Sequence, residues 1–324
     1  MKSLQYPIKS DFDATSTATQ VMGNIDLTDK LAVVTGGYSG LGREVVRVLL
    51  GAGASVIVPA RDIEKARHVL AALPDVRVCA MDLADPESID AFANLLHQEA
   101  KPIDFLINNA GVMAMPLTRD RRDYEMQIVI NHFGHFQLTA RLWSCIKEAE
   151  KPRVVCLSSG AHRFSSIDFD DPHYFVRPYY PWQAYGQSKT ANALFALELN
   201  RRARDYPMLA FSVHPGSILT DLSRHLSLED MQAMGFRDEK GEISEEDKYR
   251  FKSVGQGAAT TIWCATSPLL ENIGGVYCED CNIARSVSVD WKERNGILPW
   301  ACDLENAERL WQLTEEQIGV NFEI

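Results

Sequence analysis

The sequence predicts an α/β fold: a doubly wound parallel sheet of about seven strands with helices on both faces. Three observations carry that expectation. Short apolar runs alternate with amphipathic helical stretches from residue 31 onward, the pattern of a parallel sheet buried on both sides. A glycine cluster, Thr35-Gly36-Gly37-Tyr38-Ser39-Gly40-Leu41-Gly42, sits between the first apolar run and the first helical one. Farther on, Tyr185 and Lys189 stand four positions apart in a helical stretch, with Ser158-Ser159 and Asn131 upstream.

Residues 1–29 are polar and weakly periodic, and read as an N-terminal arm over the body with one short helix at 17–22. The rhythm then runs strand 31–35, helix 40–50, strand 55–58, helix 63–73 and strand 76–80. In the first of these helices Val45, Val46, Leu49 and Leu50 share one face. The helix over 86–99 carries Pro86 in its first turn, where a missing N–H is harmless. Strand 103–107, a long helix through 126–149, strand 153–157, helix 183–204, strand 210–213, helix 256–265 and a last strand at 274–278 complete the pattern. Right-handed crossovers make this a Rossmann-type build. Without a linker or an internal repeat, 30–324 reads as a single domain. Two stretches break the rhythm, at about 161–181 and 219–254. Both follow C-terminal ends of strands, where open α/β sheets bind ligands, and both read as substrate loops. The second is either a lid or a solvated pair of surface helices.

The chain has 324 residues and a formal net charge of −11. That charge argues against nucleic acid and anionic membranes as partners. No apolar run approaches the roughly 18 residues of a membrane span, and the N-terminus lacks the apolar core of a signal peptide. Seven scattered cysteines form no disulfide framework and suit a reducing, cytoplasmic compartment. Cys278-x-x-Cys281 lacks a second ligand pair, and His132, His135, His162 and His214 lack metal-ligand spacing. No metal is expected, and the histidines read as packing or pocket residues.

The glycine cluster places Gly36, Tyr38, Ser39, Gly40, Leu41 and Gly42 against a dinucleotide. Gly40 and Gly42 let the backbone approach a pyrophosphate at a helix N-terminus, where free N–H groups and the dipole favour anions. At the end of the second strand, Arg61 suits the 2′-phosphate of NADP, with Arg43 as a second cation. Asp62 reads as the N-cap of the next helix. NADP(H) is therefore the expected cofactor, with NAD(H) as the alternative. Asp82 and Leu83 follow the third strand, either at the adenine end or as a plain turn. Asn109, Ala110 and Gly111 end the fourth strand, where small residues pass close to the cofactor.

Thr35–Gly42, Asn108–Gly111, Asn131, Ser159, Tyr185-x-x-x-Lys189 and Pro215-Gly216 together resemble the short-chain dehydrogenase/reductase family over residues 30 to 285. Asn131-His132-Phe133-Gly134-His135-Phe136, Ser158-Ser159-Gly160-Ala161-His162 and Tyr277-Cys278-Glu279-Asp280-Cys281 look like its retinol-dehydrogenase branch. The resemblance implies hydride exchange between a nicotinamide and a carbonyl or alcohol. It makes Tyr185 the acid/base, and Lys189 its neighbour and a ligand of the nicotinamide ribose. Ser159 polarises the substrate oxygen, and Asn131 holds a water linked to Lys189. It also places Pro215, Gly216, Ile218 and Thr220 beside the nicotinamide. It implies a homodimer or homotetramer, assembled through the helices expected at 126–149 and 183–204. The chemistry of the residues agrees. A free phenol titrates near pH 10, and an ammonium one helical turn away favours the phenolate. The gap from Ser159 to Tyr185 is about double that of compact members. Pocket walls expected from Met113–Pro116, Phe164–Tyr180 and Leu219–Gly235, with Trp182, are rich in aromatic residues and methionine and suggest a lipophilic or aromatic carbonyl substrate. The rival readings are an NAD-dependent alcohol dehydrogenase, an extended-type sugar epimerase, and a non-catalytic dinucleotide-sensing regulator.

Overall fold

The computed structural model describes residues 5–73, 75–218, 222, 232, 238, 241–242, 251–293 and 295–324. Among the described residues, eight strands form one sheet. They are β1 (Leu31–Val34), β2 (Ser55–Ala60), β3 (Val76–Ala80), β4 (Phe105–Asn108), β5 (Arg153–Leu157), β6 (Leu209–His214), β7 (Val276–Glu279) and β8 (Asn282–Ile283). Their order is β3-β2-β1-β4-β5-β6-β7-β8. β1 to β7 run parallel, and β8 pairs antiparallel with β7. The eighth strand corrects the expected count of about seven. It arises from a two-residue turn at Asp280 and Cys281, with φ of 51° and 54°. Both central residues of a tight hairpin need positive φ. Asp-Cys is not the Asn-Gly signature that announces such a turn in a sequence.

Among the described residues, the α-helices are α1 (Ala18–Met22), α2 (Gly40–Gly51), α3 (Ile63–Val69), α4 (Pro86–Glu99), α5 (Met126–Ile128), α6 (Gly134–Ile146), α7 (Pro181–Arg202), α8 (Val254–Thr266) and α9 (Leu304–Ile318). Alternating strand residues feed two cores, as a pleat with period two requires. Ala32 and Val34 join Val45, Val46, Leu49 and Trp263 under α2 and α8. Val33 faces the other way, with Phe92, Leu106, Phe136, Phe195 and Trp311 under α4, α6, α7 and α9. Among the described residues, no helix is long and apolar enough to cross a membrane.

The helix expected at 126–149 is not continuous. Between α5 and α6 lies a π-helical turn, Val129–Phe133, that contains Asn131. Such a widened turn inserts one residue into the helical repeat and often lies at a functional site. The N-terminal segment is hydrogen-bonded to the β7–β8 hairpin. The Gln5 side chain donates to the Tyr277 and Ala284 carbonyls at 2.8 and 2.5 Å and accepts from the Tyr277 amide at 2.9 Å. No element was expected beyond 278, yet α9 follows, capped by Asp303, whose side chain accepts from the Asn306 amide. It packs on α7, with Arg202 stacked 4.5 Å over the Trp311 ring. Its Thr314 hydroxyl also meets His132 Nε2 at 2.9 Å.

Candidate active site

The residues singled out in the sequence gather at the C-terminal ends of β1, β4, β5 and β6, where an open α/β sheet offers its crevice. Thr35 ends β1 and acts as a hub. Its hydroxyl accepts from the Asn109 and Ala110 amides, both at 2.9 Å. The Asn109 side chain in turn donates to the Thr35 carbonyl at 2.8 Å. Gly36 has φ of 64°, and a Cβ there would come within 3.0 Å of the Ala110 Cα. A Cβ on Gly42 would overlap the Gly36 carbonyl oxygen and sit 2.5 Å from Asn109 Nδ2. The loop thus stays tight because these side chains are missing. Ser39 stands at the N-cap of α2 but makes no side-chain capping bond, and the first turn holds no acid. Its amides are left for an anion, as a pyrophosphate requires. Tyr38 is partly buried against the core, and Leu41 and Ile218 pack on Gly257 of α8.

Arg61 and Arg43 are exposed. Asp62 caps α3, its carboxylate accepting from the Lys65 amide at 3.0 Å. Asp82 accepts from the Ala84 amide at 2.9 Å, and Leu83 lies against Gly134, where a Cβ would overlap the Leu83 carbonyl oxygen. Pro215 and Gly216 follow β6, Gly216 with φ of 93°. Thr220, and most of the loop at 219–254, lie outside the described residues.

Tyr185 and Lys189 share one face of α7, the ammonium 5.6 Å from the centre of the phenol ring. Lys189 Nζ donates to the Leu157 carbonyl at 2.8 Å. Burial pushes Lys189 down to about 8, with the Cys156 thiol pulling the other way. Burial also pushes Tyr185 up to about 12, and a hydrogen bond with Ser159 offsets part of that. The sequence suggested a lowered phenol. From the protein groups alone desolvation wins, because the lysine points at a carbonyl rather than at the phenol oxygen.

The two serines differ in what they touch. Ser158 is buried and donates to the Lys189 carbonyl at 2.7 Å, tying the end of β5 to α7. Ser159 is partly exposed, and its hydroxyl, beside Tyr185, accepts from the Ala161 amide at 3.1 Å. Asn131 Nδ2 donates to the Val112 carbonyl and to Ser188 Oγ at 3.0 and 2.9 Å, and Oδ1 accepts from the Val112 amide at 2.9 Å. Gly111 lies between the two groups. A Cβ there would meet Asn131 Oδ1 at 3.0 Å and Lys189 Nζ at 3.6 Å. Asn131, Ser159, Tyr185 and Lys189 therefore converge, with Gly111 beside them.

Sequence reasoning gave no role to the Thr35 hydroxyl, to Val112 or to Ser188, and read His135 as a packing or pocket residue. His135 Nδ1 bonds the Asn131 carbonyl at 3.0 Å and Nε2 bonds Thr35 Oγ1 at 2.9 Å. Burial pushes it down to about 4. The neutral ring, with its proton on Nδ1, joins the glycine loop to the π-helical turn. The loop at 161–181 is ordered from within. Asp171 accepts from the Phe175, Val176 and Arg177 amides at 2.7, 3.1 and 3.0 Å. Trp182 sets its ring edge-on to Tyr185 at 6.0 Å and to Phe164 at 5.8 Å, so aromatic rings lead from the surface to the phenol.

Comparison with known proteins agrees with this geometry. A family model described as short chain dehydrogenase matches residues 30–230. A "Probable oxidoreductase" of Streptomyces lividans is 43% identical over 295 residues, covering 89% of this chain and 97% of that protein. Retinol dehydrogenase 12 of Mus musculus is 35% identical over 306 residues, covering 93% and 90%. The crystal structure of an uncharacterised protein from Mycobacterium paratuberculosis superposes with a TM-score of 0.72 at 30% identity, covering 94% of this chain and 98% of that one.

Proposed function

The chain belongs to the short-chain dehydrogenase/reductase family of oxidoreductases, and on that premise we propose that it interconverts a ketone or aldehyde and its alcohol, with NADP(H) preferred. The convergence of Ser159, Tyr185, Lys189 and Asn131 beside the glycine loop carries this reading. A nicotinamide held beside the glycine loop would supply or take up the hydride at the carbonyl carbon. The rest falls to this chain's own side chains. Ser159 donates to the substrate oxygen and polarises it. Tyr185 gives its phenolic proton to that oxygen in reduction and takes one in oxidation. Lys189, held on the Leu157 carbonyl beside the phenol ring, would bind the nicotinamide ribose. Asn131, fixed by Val112 and Ser188, holds the turn beside them in place.

The glycine loop fits a dinucleotide. The open amides at the start of α2 and the space left at Gly36 and Gly42 would hold its pyrophosphate. Exposed Arg61, with Asp62 engaged as a cap, supports NADP(H) over NAD(H). The ladder of Phe164 and Trp182 supports a lipophilic or aromatic carbonyl. Seven free cysteines support a reducing, cytoplasmic setting. A homodimer or homotetramer rests on the family resemblance. The helices the resemblance would use for the contact correspond to α5, α6 and α7. The deciding experiment is a turnover panel of aromatic and aliphatic ketones and aldehydes with NADPH and NADH. Reduction of an aromatic carbonyl with NADPH is the expected result. No turnover with either cofactor would instead favour a dinucleotide-sensing regulator.

A further inference from the structure

Ser159 follows β5, and its backbone is gripped on both sides by histidines. The Ser159 carbonyl meets His162 Nδ1 at 2.8 Å. The next amide, Gly160, donates to His214 Nδ1 at 3.1 Å. A backbone amide only donates and a carbonyl only accepts, so these contacts decide where each ring keeps its proton. The Leu298 amide donates to His162 Nε2 at 3.2 Å. Nε2 is therefore a lone pair, and Nδ1 carries the proton toward Ser159. At His214 the Gly216 amide also donates to Nδ1, at 3.3 Å, so that ring keeps its proton on Nε2. The rings are opposite tautomers. Burial pushes each down to about 4, which keeps both neutral at pH 7.

Both grips are packed in place. His162 is fully buried, its own carbonyl accepting from Trp300 Nε1 at 3.0 Å. A Cβ on Gly160 would come within 3.2 Å of His214 Nε2. The Ser159 hydroxyl accepts from the Ala161 amide in the same turn, so its direction follows the backbone that the rings hold.

We propose that His162 and His214 are positioning residues: a neutral pair of opposite tautomers that fixes the Ser159–Gly160 peptide and so aims the Ser159 hydroxyl at Tyr185 and the substrate oxygen. His214 also links that peptide to the Pro215-Gly216 turn. The proposal rests on the catalytic reading of Ser159 above.

Nitrogen NMR of the full chain with labelled histidines tests the tautomers directly. His162 is expected as the Nδ1–H form and His214 as the Nε2–H form, unchanged between about pH 6 and 8. Either ring in the other form, or titrating near the ordinary value, overturns the proposal. Kinetics on a carbonyl from the panel test the consequence. His214→Asn keeps an acceptor where Nδ1 stood and should stay within about threefold of wild-type kcat. His214→Leu should lose roughly tenfold or more in kcat, and nothing further when Ser159→Ala is already present. Equal losses in both backgrounds, at matched melting temperatures, or no rescue by Asn, mean a merely structural role and sink the idea. Full activity of Ser159→Ala alone breaks the functional reading instead, and the tautomer spectra then judge the grip by themselves.

Discussion

At the glycine-loop end of the site, Gly36 and Gly42 hold the geometry by lacking side chains that would strike the neighbouring backbone. At the Tyr185 end, the side chains of Asn131, Ser159 and Lys189 are each hydrogen-bonded to backbone groups. The first end is set by exclusion and the second by satisfied polarity. The two ends should fail differently. A steric site fails abruptly when an atom is added. A polar site fails when a proton or a partner is moved.

Four predictions probe this contrast. The largest effect is expected for Tyr185→Phe, which removes the proton donor and leaves the fold. Turnover should fall by about a thousandfold or more, with NADPH binding, read by fluorescence, unchanged. Near-normal turnover would remove Tyr185 from the chemistry. Gly42→Ala is next. The new methyl meets Gly36 and Asn109, so dinucleotide binding should be lost together with roughly 3 kcal/mol of stability. A variant that binds NADPH normally at an unchanged melting temperature would show that the loop gives way, and that exclusion is not what shapes it.

Arg61→Ala is expected to raise the Kd for NADPH about tenfold and to leave that for NADH nearly unaltered. Parallel losses would mean that Arg61 does not read the 2′-phosphate. The smallest effect is the pH dependence of stability. His135, His162 and His214 fall from an ordinary 6.5 to about 4 through burial. Unfolded, these rings take up protons below about pH 6.5 that the folded chain refuses until about pH 4. Their contribution is therefore complete above 6.5 and is lost as the pH falls from there to 4. The melting temperature should decline across that window, and less steeply in His214→Asn. A flat profile would count against neutral buried rings.

Much of the site was legible because its signals are local. A helix places residues four apart on one face, which joins Tyr185 to Lys189. A strand, a glycine cluster and a helix in succession announce the loop at Thr35–Gly42. The choice of Ser159 over Ser158 came from family resemblance; the Ser158 hydroxyl is engaged with the Lys189 carbonyl and the Ser159 hydroxyl lies beside Tyr185. Other features leave little local trace. One extra residue in the π-helical turn hardly changes the apolar period of 126–149. A two-residue strand such as β8 has no period at all. The roles of His162 and His214 depend on the end of β5, the end of β6 and the segment at 295–302 meeting in space, and spacing cannot report that. α9 was a different omission. Asp303 ahead of Leu304, Ala307, Leu310 and Trp311 is a readable cap and apolar face.

The position of α9 also has a bearing on time. The ribosome makes α6 and α7 well before residues 304–318, yet Phe136, Phe195 and Trp311 belong to one core. Until α9 emerges, the apolar surface it will cover on these helices stays bare, and exposed surface of this kind invites association with other chains. Between synthesis of α7 and arrival of Trp311 the nascent chain therefore carries bare apolar surface of the kind that chaperones shield.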